Sequence, residues 1–179
     1  MPVKKACLLL LLLAASSVPS LSATEPPAGA DPAAWALLEK WAGSEWVLDA
    51  SWSSGEPLRA RCVYTWGLGG KFLACKTFVS TGTSEYQRYE TVIAWHPDKK
   101  SLVSIDMAFN GHLSETVMEL VDKDTLRQGY VDYVPGHASP TRQEISFLDD
   151  DHHTWRVWVK SRSGEWTQIM DGVWRRAER

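Results

Sequence analysis

From residue 44 to residue 175 apolar and polar residues alternate with period two, and turn signals interrupt the alternation roughly every ten to thirteen residues. Trp46, Leu48, Ala50 and Trp52 alternate with Glu45, Val47, Asp49 and Ser51. Leu58, Ala60, Cys62, Tyr64 and Trp66 alternate with Arg59, Arg61, Val63 and Thr65 after the turn Ser53-Ser54-Gly55-Glu56-Pro57. Further turn signals fall at 67–70, 81–82, 97–100, 110–111, 123–124, 135–136, 149–151 and 163–164. The spacing predicts about ten antiparallel strands, because short strands without intervening helices cannot form a parallel sheet. Consecutive tight turns favour up-and-down neighbours, and closure into a barrel removes the exposed edges. The expected fold is all-β, an antiparallel up-and-down barrel.

One helix precedes the strands. Asp31 followed by Pro32 reads as an N-cap with proline in the first helical position. Ala34, Trp35, Leu37, Leu38 and Trp41 form an apolar face at helical spacing, and Gly43 ends the segment. Residues 24–30 (T-E-P-P-A-G-A) read as a flexible lead-in, so the barrel domain is 31–179.

The first 23 residues have the three-part layout of a secretory signal peptide. Lys4 and Lys5 precede the apolar run Ala6–Ala15, and a small-residue exit leads to Ala23. That run of about ten residues is too short to span a bilayer of roughly 30 Å. The expected location is periplasmic or secreted, without stable membrane insertion after cleavage. With 44% hydrophobic residues and a net charge of −3, the 179-residue chain has the composition of one globular domain. No basic block marks a nucleic-acid footprint. A monomer or homodimer is expected.

Several segments resemble lipocalin-like bacterial secreted proteins grouped as domain of unknown function 1579. Leu38-x-x-Trp41-Ala42-Gly43-Ser44-Glu45-Trp46 resembles their opening, where a short helix ends in glycine and a tryptophan begins the first strand. Leu68-Gly69-Gly70-Lys71-Phe72-Leu73 is similar to their second hairpin. Trp95-His96-Pro97-Asp98 resembles their aromatic-x-Pro turn, with His96 where an acidic residue is more usual. Ser163-Gly164-Glu165-Trp166, ending in Trp174-Arg175, is similar to the closing hairpin. The resemblance spans nearly all of the chain after residue 23. It implies a calycin-type barrel with one N-terminal helix, and carries no established activity.

Ten tryptophans are spread along the chain, many at inward parity. The alternation assigns Trp46, Trp52, Tyr64, Trp66, Tyr89, Trp95, Met107, Tyr130 and Trp155 to the interior, as the candidate lining for a small apolar or amphipathic ligand. The same parity places Ile93, Met118, Leu120, Ile145, Phe147, Val157, Val159, Trp166, Met170 and Trp174 inside, and Val103, Ile105, Met107 and Phe109 on the fifth strand. Gln128, Asp132, Gln143 and Gln168 share parity with inward neighbours; Gln143 and Gln168 complete the candidate ligand set. Unpartnered buried polar groups cost about 1–3 kcal/mol each, so such positions point to water or ligand within. A filled, purely structural or protein-interaction barrel is the alternative.

Catalytic signatures are scarce. No nucleophile elbow occurs, and the glycines at 67–70 lie between strands without a helix to hold phosphate. A barrel cyclase or isomerase would need Asp106, Asp132 or Glu144 as a general base. Asp149-Asp150-Asp151-His152-His153 reads as an acidic surface turn rather than a metal site, because contiguous residues in a turn point different ways. His153, entering a late strand, is the histidine a haem-binding barrel would use. No cofactor is assigned.

Export places Cys62 and Cys75 in an oxidising compartment. A four-residue loop over Gly67–Gly70 sets Cys62 opposite Cys75 and predicts a disulfide; a two-residue Gly69-Gly70 turn sets Cys62 opposite Thr77 and leaves two buried thiols.

Overall fold

The computed structural model describes residues 25–134 and 137–178. The signal-peptide assignment (1–23) and the turn at 135–136 lie outside these residues. Helix α1 (Pro32–Trp41) is followed by ten strands: β1 (Glu45–Ser51), β2 (Pro57–Gly67), β3 (Phe72–Thr81), β4 (Ser84–His96), β5 (Ser101–Ala108), β6 (Leu113–Asp122), β7 (Thr125–Val134), β8 (His137–Phe147), β9 (His152–Lys160) and β10 (Trp166–Arg176). Each strand pairs antiparallel with its sequence neighbours, and β1 pairs with β10 to close the barrel.

The helix begins and ends as its residues dictate. The Asp31 carboxylate accepts hydrogen bonds from the Ala33 and Ala34 backbone N–H groups, and Pro32 takes the position that needs no donor. Gly43, at φ +65°, supplies the left-handed residue beyond the last turn. The apolar face caps one end of the barrel: Trp35 stacks on Trp66 at 5.4 Å and Trp41 on Tyr64 at 5.5 Å. Arg176, at the end of β10, ties closure and cap together. Its Nη2 donates to the Lys40 carbonyl at the helix C-terminus, 2.8 Å away, and its Nε to Asp151 Oδ1.

Inward residues follow from the registers. Trp46 opposes Cys62, which opposes Thr77, and Leu48 opposes Ala60. On β4 and β5, Trp95 opposes Leu102, Ile93 opposes Ser104 and Thr91 opposes Asp106. The inward row of β5 is therefore Leu102, Ser104 and Asp106, which corrects the expected one. Val103, Ile105 and Met107 occupy the outer face, Met107 is 41% exposed, and Phe109 beyond the strand is 62% exposed. The cause is the four-residue turn at 97–100, which pairs His96 with Ser101 and so fixes the parity of β5 from that of Trp95. A second correction lies on β10. The register shifts between Gln168 and Met170, so Met170 and Trp174 face inward while Gln168 and Trp166 turn to solvent.

The disulfide is the third correction. Leu68, Gly69 and Gly70 all have positive φ, and the Gly70 and Lys71 N–H groups both donate to the Gly67 carbonyl. This turn pairs Gly67 with Phe72, so Cys62 faces Thr77 and Cys75 faces Tyr64. The cysteines are diagonal neighbours, a relation that separates Cα atoms by about 7–8 Å, beyond the usual reach of a bridge. Both are buried free thiols, each within reach of the Thr77 hydroxyl (3.3 Å from Cys62, 3.7 Å from Cys75). The neighbouring Cys62 and burial push the Cys75 thiol up. Thiol titration without reductant is expected to count both cysteines as free after denaturation and neither as reactive in the folded protein. A bridge would leave neither reactive even after denaturation.

Candidate functional site

The two ends of the lumen differ. At the helix end the inward side chains are closely buried: Trp46, Leu73, Leu102, Met118, Leu126, Phe147 and His153 pack with the helix tryptophans. His153 is 3% exposed and ringed by Trp41, Trp46, Phe147 and Trp174, with centroids 4.8–6.1 Å away. Its Nε2 has no hydrogen-bond partner among the described residues, and burial lowers its pKa to about 4, so the ring is neutral at pH 7. This is a packed aromatic cage.

Toward the opposite end several inward side chains are only partly buried, among them Ala50, Trp52, Thr77, Tyr89, Thr91, Asp106, Tyr130, Gln143 and Trp155, while Leu58, Thr141, Val157 and Met170 are buried. They divide into two walls. On the β1–β10–β9 side a tryptophan series runs toward the open end: Trp174 contacts Trp155 at 6.3 Å, and Trp155 contacts Trp52 at 6.1 Å, both edge-on. The Trp155 indole N–H donates to Gln143 Oε1 at 2.7 Å, which fixes the ring against β8.

The facing wall, on β4–β7, is polar. The Thr91 hydroxyl donates to Asp106 Oδ1 at 2.6 Å and the Ser104 hydroxyl to Asp106 Oδ2 at 3.1 Å. Ser104 Oγ also lies 3.4 Å from the Gln128 side-chain amide. That contact is to Gln128 Oε1, so the single Ser104 proton is shared between the carboxylate and the amide oxygen, while Thr91 holds the second carboxylate oxygen. Burial raises the Asp106 pKa above its ordinary value, while the Thr91 and Ser104 hydrogen bonds favour the charged form. Sequence reasoning reached Gln128 and weighed Asp106 only as a base; it missed Ser104 because the parity of β5 was inverted, and passed over Thr91 although Thr91 shares the inward parity of Tyr89 and Ile93 on β4.

At the rim, β4 carries a bulge between its pairings with Thr77 and Phe78. There the Arg88 guanidinium donates to the Tyr89 and Tyr86 hydroxyls at 3.2 and 3.3 Å and lies against the Tyr89 and Phe109 rings. A shallow concavity of about 280 Å³ lies beside it, lined by Arg88, Tyr89, Ala108 and Phe109 among others. Here Met107 contributes, but from outside the lumen.

The remaining candidates are dispersed. Tyr64 and Trp66 are taken up by the helix cap, and Trp95, whose Nε1 has no partner among the described residues, faces the filled half. Glu144 is on the outer face, where it accepts a hydrogen bond from Arg127 Nε at 2.9 Å, so it cannot act as a base inside the barrel. The Asp132 side chain lies outside the described residues; its backbone pairs with Ser139. Among the described residues no group of three or more His, Cys, Asp or Glu could hold a metal ion.

No family model matches the chain, and no curated protein matches it. Among solved structures the fold is similar to the crystal structure of Rv2717c from M. tuberculosis, with a TM-score of 0.50, 12% identity, and 83% of this chain and 99% of that chain covered. It also matches the structure of EF1p2_mFAP2b bound to DFHBI, with a TM-score of 0.44, 9% identity, and 80% and 99% covered. At 12% identity the first likeness concerns the fold alone.

Proposed function

We propose that this ten-stranded barrel is an exported binding protein that holds a small amphipathic molecule in the half of its lumen remote from the helix. The observation that carries this reading is the contrast between the two ends. The helix end holds a cluster of buried side chains, Trp46, Leu73, Leu102, Leu126 and Phe147, packed as a core is. In the other half Trp52 and Trp155, partly accessible, stand opposite a hydrogen-bonded polar wall in which Thr91 and Asp106 are partly accessible and Ser104 and Gln128 are buried. Apolar walls with a few fixed polar groups are the usual make-up of a small-molecule site. Export rests on the layout of residues 1–23, and membership among the lipocalin-like secreted proteins of domain of unknown function 1579 on the motifs at 38–46, 68–73, 95–98 and 163–175.

Titration with the neutral probe N-phenyl-1-naphthylamine tests the reading. One probe per chain is expected to bind saturably, with enhanced probe emission and quenched tryptophan emission. In Trp155→Phe the tryptophan quenching should shrink while the fold, followed by far-UV circular dichroism, is kept. A linear, unsaturable response would leave the filled barrel as the better account.

A further inference from the structure

We infer that the lumen selects organic cations: the ligand's positively charged group sits against Asp106, and its apolar body lies across the barrel on Trp155 and Trp52. This deepens, and rests on, the ligand-binding reading.

The polar wall has a definite sign. In the half remote from the helix, Asp106 is the charged side chain that the register places inward among the described residues; the inward-register cation, Arg176, lies at the helix end over Trp46. The hydrogen-bond partners of Asp106 are the neutral hydroxyls of Thr91 and Ser104, and among the described residues no cation pairs with it. Two donors hold the carboxylate in a fixed direction, and each oxygen keeps capacity for a further hydrogen bond. The nearby cation at the rim, Arg88, is engaged with the Tyr86 and Tyr89 hydroxyls and with aromatic rings.

A carboxylate taken partly out of water without a counter-charge favours any ligand that brings one. An ammonium supplies both charge and N–H donors, and charge-assisted hydrogen bonds are roughly twice as strong as neutral ones. A carboxylate or phosphate ligand would meet repulsion at the same place. The opposite wall suits the rest of such a molecule. Trp155 and Trp52 meet edge-on, and Gln143 holds Trp155 in place, so a flat or chain-like apolar body meets a fixed surface.

Three naphthalene probes of nearly equal size separate charge from shape: 1-naphthylmethylammonium, 1-naphthalenemethanol and 1-naphthoate, titrated at pH 7 into the whole protein and followed by tryptophan quenching. The ammonium is expected to bind about tenfold more tightly than the alcohol, and the naphthoate more weakly than either. In Asp106→Asn the ammonium and alcohol affinities should come within about twofold of each other, as expected when a charge-assisted hydrogen bond is lost. Asp106→Ser, which keeps a hydroxyl between Thr91 and Ser104, gives the same reading if the asparagine variant does not fold. Glu144→Gln, which removes one outer-face acid, should leave the preference intact and so separate Asp106 from net charge. Equal binding of ammonium and alcohol, tightest binding of naphthoate, or a preference that survives loss of Asp106 would overturn this inference and leave the ligand-binding reading standing. Failure of all three probes to bind would overturn both.

Discussion

Trp46→Ala is expected to lower the unfolding free energy by about 3–5 kcal/mol. Trp46 is fully buried at the start of β1, and its indole N–H donates to Ser44 Oγ at 2.8 Å. Its ring contacts His153 and Phe147, and the Arg176 guanidinium lies 4.7 Å above it. Trp46 also pairs with Arg176 across the β1–β10 seam. Truncation therefore opens a cavity at the point where the barrel closes and the helix seats. Trp166→Ala is the matched control. That ring is 41% exposed and rests against Arg142 and Lys160, so its loss should cost under about 1 kcal/mol. Denaturant melts of the two variants decide the matter, and a cost below about 1 kcal/mol for Trp46→Ala would mean that β1 faces the other way.

Acid should destabilise the barrel through one residue. Folding lowers the His153 pKa from 6.5 to about 4, chiefly by burial. Between these values the unfolded chain binds a proton that the folded protein excludes, so stability falls as pH falls through that window. The contribution is complete above pH 6.5 and is lost by about pH 4. At about 1.4 kcal/mol per pH unit, the loss across the window is on the order of 3 kcal/mol. His153→Phe should flatten this part of the pH profile while keeping the ring contacts with Trp41, Trp46 and Trp174. It also removes the unpartnered Nε2, so stability at pH 7 should hold or rise. The measurement is the difference between native and variant unfolding free energies at pH 7 and pH 4. An unchanged difference would mean that water reaches the histidine.

Much of this architecture was legible in the residues. The Asp31-Pro32 start, the Trp35, Leu38 and Trp41 face, and the Gly43 stop are local signals, and local signals decide a helix when its apolar face has somewhere to dock. Alternation with turn residues gave ten strands, since each strand needed only one buried face. The polar wall was hidden by the same rule. On β5 two interleaved rows compete, Val103-Ile105-Met107 and Leu102-Ser104-Asp106, and choosing the more apolar row picks the wrong one. The signal that could have found the right row is the turn at 97–100, which with Trp95 inside forces Leu102, Ser104 and Asp106 inside as well.

Sequence by itself thus determined the fold class, the order of elements, the helix and most of the aromatic lining, because these depend on local propensity and on burying one face of each strand. Tertiary structure alone decided what shifts a register. The run of positive-φ residues at 68–70 offset the two cysteines, and the irregularity between Gln168 and Met170 turned Gln168 and Trp166 outward. The placement of Asp106 with Thr91, Ser104 and Gln128 also belongs here, since those four residues come from β4, β5 and β7. Their hydrogen bonds exist only once the strands between them are in register, and a shift of one residue would turn each side chain to the other face.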